Sequence, residues 1–180
     1  MISLHALFGF LMILFGVIGA TRGAAKEVLV TFSVILALFV TTLFENRVPF
    51  VSEMLSNQQN LEKLFYIRIL VLVPLVYFGY MPPSISKLSP KGNLTPNIIL
   101  EKMLGFILGT VNGFLVFGTI WYYLHYAGYP FAEIYAPPPD TAVWAWTNRW
   151  LPLFPPSFLG EPVIYFAIAV AFTLVLAVFI

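Results

Sequence analysis

His5 and His125 are the only imidazoles among 180 residues, in a chain that has no cysteine and eight acidic side chains. A neutral imidazole can hold a haem or chlorin axially. Each histidine stands near the end of a long apolar run, a depth at which a tetrapyrrole could be ligated, but neither has a partner at metal-binding spacing. The absence of cysteine excludes disulfides, thiolate metal sites and a cysteine nucleophile. No Asp/Glu/His cluster, Ser-His-Asp order or glycine-rich phosphate loop followed by lysine is present.

Two further polar residues interrupt apolar runs. Arginine at the centre of a membrane helix costs about 2.5–3.5 kcal/mol. Arg68 lies about one turn from the end of its run and reads as snorkelling to lipid phosphate, or as a contact to an anion or a quinone headgroup. Asn112 needs hydrogen-bond partners at mid-membrane depth. It reads as interhelical glue worth about 0.6 kcal/mol, or as lining a solute path with Thr110. No cofactor is expected; quinone and tetrapyrrole contacts are the alternatives.

Residues of this kind must be positioned by helices in lipid. Apolar types make up 60% of the chain and charged types 9%, with mean hydropathy +0.91, where a soluble domain is about a quarter charged. Strands of about ten alternating residues, as in a membrane barrel, are not visible. The expected class is all-α and polytopic, with five spans: Ile2–Ala20, Val28–Phe44, Leu64–Tyr80, Met103–Tyr126 and Val163–Ile180. The first run lacks the basic start and cleavage site of a signal peptide and reads as a retained helix. Pro82 and Pro83 should stop the third span and Pro74 should kink it. A net charge of +1 gives no support to a nucleic-acid partner.

Three parts follow: a four-helix domain over 1–128, a Pro/Trp-rich segment over 129–162, and a last helix over 163–180. The middle part holds Pro137, Pro138 and Pro139, then Trp144, Trp146, Arg149 and Trp150. Indole rings favour headgroup depth. A short amphipathic element over Thr141–Leu151 is expected on the outer surface, either as an aromatic belt or as a partner surface built from those last four residues. Lys/Arg bias sets orientation. Arg22, Lys26, Lys87, Lys91 and Lys102 fall on one side, against Arg47, Lys63 and Arg149, with Arg68 near a helix end. That places the N-terminus outside and the C-terminus in the cytoplasm.

Between lipid-facing helices, close backbone approach drives association. Gly9, Gly16 and Gly23 recur every seven residues, with Gly19 between them. Gly105, Gly109 and Gly113 recur every four, near Thr110, Asn112 and Thr119. These faces read as packing of the first helix against the fourth, or as a contact between copies or a conduction path.

The segment from Gly19 through Arg22 and Gly23 to Lys26 and Glu27 makes a tight corner. Gly23 permits the reversal, Arg22 would anchor it at the headgroups, and Glu27 complements the dipole of the next helix. This Gly-x-x-Arg-Gly corner with its following acid, together with the later Gly105/Gly109/Gly113 helix, resembles the colicin V production protein (CvpA) family over roughly residues 1 to 125. The resemblance implies a bacterial inner-membrane protein of about four helices, implicated in toxin export, envelope homeostasis and surface growth, without an established enzymatic activity. The Pro/Trp segment and fifth helix depart from it and suggest an extra partner. The expected role is a non-enzymatic scaffold or accessory subunit of a membrane assembly, partnered by lipid, by other membrane proteins or by itself. The rivals are a small-solute or ion transporter or channel, and a cofactor-bearing subunit of a respiratory or photosynthetic complex.

Overall fold

A computed structural model describes residues 4–56, 60–81, 94–131 and 141–179. Pro82, Pro83, Lys87, Lys91 and the prolines at 137–139 lie outside them. The described residues form helices and no strand: α1 (Leu4–Arg22), α2 (Ala24–Arg47), α3 (Pro49–Ser56), α4 (Leu61–Tyr80), α5 (Ile98–Tyr126), α6 (Ala142–Trp150), α7 (Pro155–Phe158) and α8 (Val163–Phe179), with a 3-10 turn at Leu151–Leu153. By length and composition, α1, α2 and α5 can each cross a membrane, and Val163–Val178 is a shorter apolar helix.

α1, α2, α4 and α5 run past the apolar windows into charged residues. α1 extends to Arg22 and α2 begins at Ala24, so the connection expected between Ala20 and Val28 is one residue, Gly23, at φ 89°. Only glycine adopts that conformation without strain. The stretch after Glu45, which reads as a polar loop, holds α3, with Pro49 at its first position where a missing N–H costs nothing and Val51 buried.

α2 is the central element, in contact with α4, α5 and α8, while α1 packs chiefly on α5. Val30, Val34 and Ala37 of α2 meet Leu72 and Val76 of α4 and Leu115 and Val116 of α5 in the main core. α8 runs antiparallel to α2, with Tyr165 beside Phe39 and Phe172 beside Phe32. The turn into α7 seats Phe154 and Pro155 on Gly118, eight residues before the end of α5 and so about 12 Å along its axis.

Candidate functional site

Two charged clusters lie at opposite ends of the helices. At the first, Gly23 turns the chain so that Arg22 and Glu27 face one another. Glu27 is fully buried. Its Oε1 accepts from Arg22 Nη1 at 2.7 Å and its Oε2 from Asn112 Nδ2 at 2.8 Å. The same Asn112 amide donates to the Glu27 carbonyl at 3.0 Å, while its oxygen accepts from Thr31 Oγ1 at 2.7 Å. Arg22 also donates to the Tyr80 carbonyl at 3.1 Å and lies 4.5 Å from the Tyr80 ring centre. Four helices are thereby joined through one ion pair. Arg22, expected to anchor the corner, turns inward here: a carboxylate in an apolar interior needs its counter-charge, and the arginine supplies it.

Glu101 completes this end. It is buried, and its Oε1 accepts from Ala24 N at 2.9 Å while Oε2 accepts from Thr95 N at 3.2 Å. The carboxylate of α5 thus satisfies the first N–H of α2, a donor with no partner inside its own helix. Sequence reasoning missed Glu101. Its position four residues before Gly105 places it on the glycine stripe, which was the available signal.

Along that stripe α1 and α5 touch by their backbones. A Cβ at Gly19 would fall on the Gly105 carbonyl oxygen, and one at Gly109 on the Phe15 carbonyl oxygen. Gly16 meets Thr110 and Phe106, Gly113 meets Phe15 and Met12, and Gly23 meets Glu101. Gly9 has nothing within 4 Å. Thr119 bonds the Leu115 carbonyl within its own helix.

The second cluster centres on Arg68. Its Nε donates to Glu45 Oε1 at 2.6 Å, and its guanidinium lies 4.6 Å from the Tyr123 ring centre. Its side chain is 12% exposed, so the arginine read as snorkelling to phosphate is held by an ion pair within the protein. Glu45 was missed; an intramembrane arginine demands a partner on an adjoining helix, and the antiparallel α2 supplies one. Around the pair, Thr42, Asn46, Tyr122 and Glu161 help line a polar cavity of about 230 Å³. Glu161 accepts from the Tyr165 hydroxyl. That bond, with a further one from Asn46 and the Arg47 charge, holds its carboxyl below the usual range.

The histidines lie among aromatic rings. His5 sits edge-on to Trp146, with ring centres 4.0 Å apart, and 3.5 Å from the Thr147 hydroxyl. His125 approaches Tyr129 Oη at 3.2 Å, with Trp144 at 5.8 Å. The two imidazoles have different ring and hydroxyl neighbours, and no metal-binding group of three His, Asp or Glu occurs among the described residues. Of the residues read as a partner surface, Trp146 stacks between Trp121 and Trp150, whereas Arg149 is exposed.

Long apolar helices joined by buried polar clusters define an α-helical membrane protein. The chain belongs to a family: the sequence model described as Colicin V production protein matches residues 4–136. That family is not one of known enzymes. The match takes in Arg22, Glu27, Arg68, Glu101 and Asn112 and ends before α6. No curated protein and no solved structure matches the chain.

Proposed function

We propose that this protein is a non-enzymatic scaffold or accessory subunit of a larger assembly in the bacterial inner membrane. α4 and α8 complete five crossings, with the N-terminus outside and the C-terminus cytoplasmic. The supporting observation is that the polar side chains of the long helices point at one another. Asn112 bonds Glu27 and Thr31, and Arg68 pairs with Glu45 through Nε, while Thr110 bonds the Phe106 carbonyl of its own helix. A transporter would direct such groups at a shared path, whereas these lie in separate places. α6 offers the partner contact specific to this chain, since it follows the family match and exposes Arg149, a residue type enriched at interface hot spots.

A photo-crosslinking amino acid at position 149, activated in native membranes, tests the reading. The expected product is an adduct with a different membrane protein. No adduct, together with solute flux in reconstituted vesicles, would replace the scaffold by the transporter.

A further inference from the structure

The polar cavity beside Arg68 has an apolar neighbour. α8 packs on α2 and stands off from α5, and the gap is a groove of about 370 Å³ lined by Val28 and Phe32 of α2, Leu108 of α5, and Phe166, Val170 and Leu174 of α8. Thr31 is its one polar lining residue. The α2 residues of the groove (Val28, Thr31, Phe32, Ile35) and of the cavity (Leu38, Thr42, Glu45, Asn46) continue at spacings of three and four. They therefore form one stripe along the helix. Phe32 and Thr42 are ten residues, about 15 Å, apart, which is half of a hydrocarbon core of about 30 Å.

A partner helix is about 10–12 Å across and needs more room than the groove provides, whereas a single acyl chain suits a narrow, almost wholly apolar slot. The cavity at the helix end contains one guanidinium and two carboxylates, Arg68, Glu45 and Glu161. Arg68 reaches Glu45 through Nε, and its terminal amino groups are of the kind that grip phosphate. The carboxylates accept hydrogen bonds from an ammonium. The geometry points to a binding site for one phospholipid with a primary ammonium headgroup, of the phosphatidylethanolamine type. The headgroup sits among Glu45, Arg68 and Glu161, and one acyl chain lies between α2 and α8. Both compartments need residues of α8 or of the turn before it, so the site belongs to this chain's addition to the family domain. It stands independently of the assembly role.

Native mass spectrometry tests this on the full chain, purified in detergent and exposed to equal phosphatidylethanolamine, phosphatidylcholine and phosphatidylglycerol. One phosphatidylethanolamine should be retained, at least fivefold over phosphatidylcholine, whose quaternary ammonium has no N–H to donate. Glu161→Gln, at an exposed position, should abolish that preference while the chain still folds and melts cooperatively. Ala167→Trp, at the groove wall, should lower retention of all three lipids. Equal retention of the three, or retention unchanged in both variants, would overturn the site. Displacement by free O-phosphoethanolamine as readily as by short-chain phosphatidylethanolamine would also overturn it, in favour of a soluble phosphoamine.

Discussion

Glu27 ties three helices together through a single side chain. Its carboxylate joins α1 to α2 through Arg22 and α2 to α5 through Asn112. Removing one member of a buried pair strands the other charge, at a cost of about 3–5 kcal/mol. Glu27→Gln keeps an oxygen for Asn112 but leaves Arg22 without its counter-charge. It should therefore destabilise more than Asn112→Ala, whose three lost bonds are worth about 0.6 kcal/mol each on the average for intramembrane hydrogen bonds. The pair Arg22→Met with Glu27→Leu should recover much of the stability lost by either single change, because no charge is left buried. Melting in detergent, followed by size-exclusion chromatography, measures these variants together with the two single changes. A double variant no better than the worse single would show that the ion pair is not what holds this end together. At this scale the sequence was only half informative. Arg68 and Asn112 stand out because polar types interrupt apolar runs. Glu45 and Glu101 do not, because they fall where apolar character already gives way to charge, and only a three-dimensional partner distinguishes a buried carboxylate there from a solvated one.

Among the elements, α1 and α5 show how a spacing rule becomes a distance. Glycines four apart mark one face of a helix, and the α5 stripe could be read in that way before any partner was known. The partner could not: heptad spacing in α1 gives no weight to one glycine over another, yet Gly19 lies against Gly105 and Gly109 while Gly9 meets nothing. Replacing Gly109 by Leu should drive the two helices apart, since its first side-chain carbon already falls on the Phe15 carbonyl oxygen. Gly9→Ala should leave the melting temperature within about a degree of the parent or raise it slightly, as alanine favours helix by about 1 kcal/mol over glycine. Comparing the two melting curves separates a packing face from a merely glycine-rich one, and equal effects would show that the spacing carries no contact. Helix ends were the least legible. The first two windows drawn from apolar content stopped short of charged residues, Arg22 and Glu45, that the structure keeps inside a helix with their charges paired.

For the molecule as a whole, packing sets the relative directions of the helices, and charge counts the proposed orientation. α2 and α5 run parallel, since Glu27 meets Asn112 at one end and Leu38 packs with Tyr123 and Leu124 towards the other. α1, α4 and α8 oppose them, as five alternating crossings require. With the Arg22 end in the cytoplasm, a reporter at Lys87–Lys91 should give a cytoplasmic signal and one after Arg47 a periplasmic signal. The reverse pattern would invert the proposed topology. The appended region was legible as unusual, through its prolines and tryptophans, but its depth was not. Composition places indoles at an interface, whereas Phe154 and Pro155 find a side-chain-free seat on Gly118, a complementarity that no count of aromatic residues contains.

The one-residue corner at Gly23 also fixes phase. Successive residues of a helix are turned by about 100°, so a single residue inserted after Gly23 would rotate the whole of α2 by that angle relative to α1. Glu27 would then point away from Arg22 and Asn112, and the three partner helices of α2 would each meet the wrong face. That insertion should abolish a folded product, read as loss of the monodisperse peak in size-exclusion chromatography. On that account the corner is where this protein tolerates substitution poorly and change of length least of all.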